Sequence, residues 1–331
     1  MGATTPTEVE APGLEEIRAA RDRIAAAGAI RTPLVPLTLP GGREVWLKLE
    51  LLQPIGSFKI RGPANALALA SAAALERGVW TASAGNHGQG LAWCARRGGV
   101  ACTVVVPEHA PRAKVDALVR LGARVVPAPL ERWWNAIATR SFPGMDGLFF
   151  VHPTADRDIM AGNGTIGLEI LEDLPDVDAI LAPYGGGGLA CGIAAALAAL
   201  RPAARVHACE VSTATPCATS LAAGRPSACD HTTSFVDGIG GRSALAEMWP
   251  CVSRLVAGSI VVTPDEVAEA VRLLLARVHV AAEGAGAVPV AAAASERAPS
   301  GRIACVVSGG NIDAAILARI LRGETPAPGA A

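Results

Sequence analysis

Apolar runs alternate along this chain with Ala-rich stretches whose apolar residues recur at helical spacing. The runs 79–82, 102–106, 123–126, 179–183, 206–209 and 303–307 read as strands, 102–106 as a buried one, and 44–51 (EVWLKLEL) as a further strand. The stretch 15–27 reads as an amphipathic helix, with Leu14, Ile17 and Ile24 on one face. Helices are also predicted over 63–76, 88–97, 112–121, a segment ending at 200, and 265–278. Alternation of this kind implies an α/β protein with parallel sheets covered by helices on both faces. The block 78–152 holds compact strand–helix units of its own. It is expected to form a small domain inserted into a larger one made of 1–77 and 153–331. No repeat at solenoid period is present.

Composition narrows the function. The 331 residues are 51% hydrophobic and 18% charged, enough for a large core and incompatible with wholesale disorder. A net charge of −1 leaves no basic field for nucleic acid or an anionic membrane. Aromatics at 4% supply no base-stacking surface. The eight cysteines form no C-x-x-C pair and no Cys/His pair has zinc-ligand spacing, so they read as small buried hydrophobes in a reducing cytosol. The N-terminal sixteen residues carry no basic and apolar signal pattern, and a cytoplasmic location is expected. The charge-free stretch 179–200 is long enough to span a bilayer, but Pro183 and four glycines interrupt it; a buried strand, turn and helix fits better. The terminal GETPAPGAA is expected to be a loose tail.

The basic residues are unevenly chosen. Of 29, all are Arg except Lys48, Lys59 and Lys114. A desolvated lysine can lose its proton and act as an amine nucleophile; an arginine cannot. Lys59 lies between apolar Phe58 and Ile60 in the loop GSFKIRG. Three Gly-rich or polar turns accompany it. Ser83-Ala84-Gly85-Asn86-His87 follows the strand 79–82 and opens a helix, a build that presents backbone N–H groups to an anion. Gly185, Gly186, Gly187 and Gly188, followed by Leu189, stand between a strand and a helix and suit a phosphate. The same stretch satisfies G-x-G-x-x-A with Glu210 ending the next strand, so a dinucleotide site is the rival reading. Ser308-Gly309-Gly310-Asn311 closes the strand 303–307. All four features are expected at carboxyl ends of strands, where open α/β sheets bind ligands. An amine, a phosphate cradle, an anion loop and a hydroxyl together suit an aldehyde cofactor bearing a phosphate, pyridoxal 5'-phosphate.

The chain resembles the fold-type II pyridoxal-phosphate enzymes, specifically the threonine/serine dehydratase and serine racemase family. The resemblance rests on LKLELLQPIGSFKIRGPAN, SAGNHGQGLA, HPTADRDIMAGNGTIGLEIL, YGGGGLACGI, VDGIG, AAEGAGA and VVSGGNID, in the family's order over about 15–320. It displaces the dinucleotide reading and implies a two-domain, tryptophan synthase β-like fold whose small domain closes over the substrate. It also implies roles. Lys59 holds the cofactor as a Schiff base and moves the Cα proton. Phe58 packs beside the pyridine ring, Asn86 bonds its hydroxyl, Ser308 faces its nitrogen, and Glu283 lies near its edge. Gly185 to Gly188 and Leu189 cradle the phosphate. Ser83, Ala84, Gly85, Asn86 and His87 bind the substrate carboxylate. The implied reaction is α,β-elimination from a β-hydroxy-α-amino acid of the L-Thr/L-Ser type, giving a 2-oxo acid and ammonia.

The chain also departs from the family pattern. Family racemases carry a second Ser where this chain has Ala84, which demotes racemisation. Glu210 matches a divalent-cation ligand of some members, but its partner position is Pro216. Ile55 and Asn163 replace the usual Thr and Gln. Trp133 and Trp134 are either packing or the mouth of a pocket for a bulkier substrate. The competing expectations are a 3-hydroxyaspartate or phenylserine dehydratase, a serine or amino-acid racemase, and a cofactor- or ligand-binding protein without turnover. A homodimer or higher homo-oligomer is expected. No regulatory segment follows residue 330, so feedback control of the biosynthetic threonine dehydratase type is not.

Overall fold

The computed structural model describes residues 8–327. The first seven residues and the last four of the GETPAPGAA segment lie outside them. Ten strands run in chain order: β1 (Leu34–Thr38), β2 (Glu44–Lys48), β3 (Val79–Ala82), β4 (Cys102–Pro107), β5 (Arg124–Ala128), β6 (Phe149–Phe150), β7 (Ala179–Pro183), β8 (Arg205–Val211), β9 (Val256–Val262) and β10 (Ile303–Val306). Six form one sheet in the order β1-β2-β10-β7-β8-β9, and four form another in the order β5-β4-β3-β6. The smaller sheet draws all its strands from residues between 79 and 150. Every pairing is parallel except β1 with β2, an antiparallel edge that the alternation pattern did not predict.

The central parallel strands are buried on both faces. Every residue of β3, β7 and β10 is buried, and their side chains alternate between two apolar layers. Around the larger sheet, Leu47, Leu181 and Cys305 face one layer, while Ile180, Ala182 and Ala304 face the other. In the smaller sheet Val104 and Val106 pack with Leu91 of the helix Asn86–Arg97. Trp80 and Val105 pack on the opposite side, with Ala136 and Ile137 of the helix Leu130–Thr139.

Several boundaries differ from the sequence reading. The strand at 44–51 ends at Lys48, because residues Glu50–Leu52 turn into a short 3₁₀ segment. The helix at 63–76 is two helices, Arg61–Leu69 and Ala72–Arg77, parted at Ala70 where the backbone is extended and Ser71 caps the second. The GSFKIRG loop does not sit at the end of a strand: the 3₁₀ turn Glu50–Leu52 separates it from β2, and Lys59 lies on a second such turn, Phe58–Ile60.

The helix Arg157–Asp173 links the two sheets and seats the Lys59 segment. A Cβ on its Gly162 would lie 2.4 Å from the Arg61 carbonyl oxygen. Equally, a Cβ on Gly192 of the helix Gly188–Leu200 would lie 2.4 Å from the Met160 carbonyl. Bare glycine lets these backbones touch. Beneath this contact Arg61, fully buried, gives paired hydrogen bonds to Glu50 and Glu169 at 2.7–2.9 Å, and Lys48 reaches Glu169 at 2.6 Å. Two cations and two carboxylates thus neutralise one another in the interior, two residues beyond Lys59.

Candidate active site

Lys59 lies on the 3₁₀ turn Phe58–Ile60, immediately before the helix Arg61–Leu69. Its backbone is fixed from two sides. The Phe58 N–H donates to the Ser308 carbonyl at 3.0 Å, and Ser57 bridges to Gly309. On the other side Gly90 presses so close that a Cβ there would stand 2.3 Å from the Lys59 carbonyl oxygen. The side chain crosses the Phe58 ring at 5.2 Å from its centroid, and the ammonium donates to the Pro153 carbonyl at 2.8 Å. Burial lowers its pKa to about 8, against a smaller opposing pull from Glu283. A useful share of this amine is therefore unprotonated near neutrality, as nucleophilic and base chemistry require.

The Ser83–His87 turn reaches the same place. Gly85 caps the helix Asn86–Arg97. Asn86 donates from Nδ2 to Glu283 Oε1 at 2.8 Å and accepts from Asn311 Nδ2 at 2.8 Å. Glu283 is tied to the Ser308 turn, since its N–H donates to the Gly309 carbonyl at 3.0 Å. Burial raises the Glu283 pKa to about 7, assisted by the Asp237 charge. His87 is buried, with Nε2 3.2 Å from the Val151 carbonyl oxygen; burial and the Lys59 charge hold its pKa well below the usual range, so the ring is neutral. Ser83, Ala84 and Gly85 are partly exposed, and Ala84 offers no acid or base.

The glycine turn follows β7 directly and opens the helix Gly188–Leu200, whose first turn contains buried Leu189. Because β10 pairs in parallel with β7, the Ser308 turn and the glycine turn leave the sheet side by side. Space constrains two of the glycines: a Cβ on Gly186 would lie 2.7 Å from Thr154 Cγ2, and one on Gly188 2.8 Å from the Thr154 carbonyl. Gly187 has φ +95°, which side chains rarely adopt. The result is a cradle of uncovered N–H groups at a helix N-terminus, with a reactive amine and a buried hydroxyl close by. These residues fit a cofactor carrying a phosphate and an aldehyde.

Glu210 is engaged by the chain itself. Its two oxygens accept from the Cys217 and Ala218 N–H groups and the Ser259 hydroxyl at 2.5–2.8 Å, capping the helix Pro216–Ala223. Among the described residues no group of three or more His, Cys, Asp or Glu side chains could hold a metal ion. The same capping removes Glu210 from any ribose-binding role. Trp133 packs on the face of the smaller sheet away from the helix Asn86–Arg97, its Nε1 donating to the Val105 carbonyl at 3.2 Å, while Trp134 is exposed. Trp133 is packing, as one of the two sequence readings holds.

Four contributors carry no role in the sequence reading: His152, Pro153, Thr154 and Asn311. Pro153 acts through its carbonyl and Thr154 by its bulk under the glycine turn, properties that side-chain identity does not signal. Asn311 stands in the quoted VVSGGNID segment, so its position was visible although its bond to Asn86 was not.

A family model described as "Pyridoxal-phosphate dependent enzyme" matches residues 26–309. An L-threonine ammonia-lyase of Thermotoga maritima is 39% identical over 284 residues, covering 85% of this chain and 70% of its own length. An L-threonine ammonia-lyase of Geobacter sulfurreducens is 42% identical over 274 residues, covering 82% and 68%. Among solved structures, maize serine racemase superposes with a TM-score of 0.86 at 32% identity, covering 95% of this chain and 98% of that one.

Proposed function

We propose that this chain, which belongs to the pyridoxal-phosphate dependent enzyme family, is an ammonia-lyase for β-hydroxy-α-amino acids of the L-threonine or L-serine type. The observation that carries the reading is the Lys59 amine, with its pKa lowered to about 8, beside a glycine cradle in which Gly186, Gly187 and Gly188 leave little room for a side chain. The names of the two bacterial ammonia-lyases support the substrate class.

In this reading Lys59 holds the cofactor, the Gly185 to Gly188 N–H groups and Leu189 bind its phosphate, and Phe58, Asn86, Glu283 and Ser308 surround its ring. When bound, the cofactor supplies an electrophilic carbonyl for the substrate amine and a ring that withdraws electrons from Cα. Ser83, Ala84, Gly85, Asn86 and His87 then orient the substrate carboxylate at the helix N-terminus. The freed Lys59 amine takes the Cα proton from one face. Ser308 would offer the ring nitrogen a neutral hydroxyl rather than a carboxylate. Racemisation needs a second acid or base on the opposite face, and Ala84 provides none, so elimination is preferred to the racemase alternative. Residues 78–152 act as the smaller, closing domain, and 1–77 with 153–331 as the larger.

No helix among the described residues is long and apolar enough to cross a membrane. All eight cysteines are free, seven of them buried, which accords with a reducing, cytoplasmic setting. The proposal includes a homodimer or higher homo-oligomer, in which exposed apolar side chains such as Ile30 and Leu52 would be covered.

The test is direct. Purified protein supplied with cofactor should turn yellow and release a 2-oxo acid from L-Thr or L-Ser, and Lys59→Ala should lose both properties. A colourless wild type, or D-serine from L-serine as the main product, would overturn the reading.

A further inference from the structure

The segment joining β6 to the helix Arg157–Asp173 touches the candidate site at several points. Its carbonyls at Val151, Pro153 and Ala155 meet His87, Lys59 and Arg140 at 3.2, 2.8 and 2.7 Å. Thr154 lies beneath the glycine turn. What holds this short stretch in shape is one side chain. His152 is buried, and its Nδ1 accepts both the Thr154 N–H at 3.0 Å and the Ala155 N–H at 2.6 Å. Two donors aimed at Nδ1 leave no room for a proton there, so the ring is neutral with its hydrogen on Nε2. Burial, with the Arg140 and Lys59 charges, agrees, lowering its pKa to about 3. Nε2 itself is buried and has no hydrogen-bond partner, the Glu247 carboxylate standing off at 3.6 Å. The bonds at Nδ1 are thus the polar anchorage of the ring. They turn two N–H groups inward, which leaves the Pro153 carbonyl free to face Lys59.

We propose that His152 is a positioning residue: through Nδ1 it shapes the 152–155 turn so that the Pro153 carbonyl meets the Lys59 amine and Thr154 supports the phosphate cradle. The proposal rests on the reading of Lys59 as the cofactor-holding amine, and it goes beyond that reading in naming what aims the amine.

Three substitutions separate the roles. His152→Asn keeps an acceptor oxygen where Nδ1 stands; His152→Gln moves the amide to the Nε2 position; His152→Leu has no acceptor. The first readout is the cofactor dissociation constant from visible absorbance of the holoenzyme. The second, on cofactor-free full-length chain, is the pH dependence of Lys59 labelling by an amine-reactive probe, followed by mass at the Lys59 peptide. Thermal unfolding of each variant accompanies both. His152→Asn should bind cofactor within about threefold of wild type, and Leu and Gln about tenfold or more weakly, the size of one lost buried hydrogen bond. Loss of the carbonyl that stabilises the ammonium should move the labelling midpoint of the Leu and Gln variants to lower pH, and leave the Asn variant unmoved. A purely structural role would lower the melting temperature without moving that midpoint, and this result would overturn the proposal, as would Asn and Leu behaving alike. If wild type takes up no cofactor, the functional reading fails, while the labelling midpoints still decide the role of His152.

Discussion

Replacing Glu169 by Gln tests the interior charge network that anchors the chain just past Lys59. Glu169 is 4% exposed and receives Arg61 through Nη1 and Nη2 at 2.7 and 2.9 Å and Lys48 at 2.6 Å. With Glu50 it balances the two cations, so the amide leaves one positive charge uncompensated in the interior and points a donor at other donors. Breaking a buried pair in this way costs about 3–5 kcal/mol, a large part of the roughly 5–15 kcal/mol that holds a typical protein folded. With a urea slope near 3 kcal/mol per molar, the denaturation midpoint should fall by about 1 M or more. The sign of the pH dependence is fixed as well. Burial alone would raise the Glu169 pKa, but the Arg61 and Lys48 charges outweigh it and the net shift is downward. A carboxylate depressed in the folded state contributes stability above its unfolded pKa and loses it as pH falls through the folded value. The gap between wild type and variant should therefore be full at neutral pH and shrink in acid below about pH 4. Removing the charges as a pair, with Lys48→Met and Glu169→Leu together, should cost less than Glu169→Gln alone. A loss under about 1 kcal/mol, as for an exposed ion pair, would refute the account.

Two further outcomes follow from the site. Gly90→Ala should destabilise the protein by about 1–3 kcal/mol, through the 2.3 Å approach of the new Cβ to the Lys59 carbonyl, and shift the visible absorption of the bound cofactor; calorimetry and absorbance check both. In cofactor-free protein, Glu283→Gln should be the more stable form above about pH 7. Wild-type Glu283, raised from 4.5 to about 7, is protonated more fully when folded, so wild-type stability falls between those values while the amide's does not. Equal urea midpoints at pH 8 would exclude this.

The sheets were legible where the chain is apolar without interruption, as at 102–106 and 179–183, and the Lys59 loop stood out because lysine is so rare. The helix Arg157–Asp173 was not legible. Its residues from 159 to 170 are all buried, so no polar face marks a period, and Gly162, Gly164 and Gly167 look like breakers although they serve close backbone contact. β1 was hidden by Pro36, which an edge strand tolerates. Within the site Lys59 and Asn86 were recognisable from their side-chain chemistry, whereas His152 and Asn311, which bond to neighbours within the fold, were not. The contributions of Pro153 and Thr154 come from carbonyl direction and bulk, which exist only once the chain is folded.

The distribution of the three lysines has a practical consequence. Lys48 is sealed inside, Lys59 belongs to the site, and Lys114 is partly exposed, paired with Asp237 at 2.6 Å in the VDGIG segment that borders Glu283. Among the described residues, once Lys59 is taken up by cofactor as proposed, an immobilisation resin, cross-linker or dye that seeks primary amines has Lys114 as its accessible lysine target. Elsewhere on a protein such reagents decorate a neutral surface; here they would tether the molecule beside the mouth of the candidate active site. Coupling through Cys229, the one cysteine that is not buried, would leave that mouth's lysines unmodified.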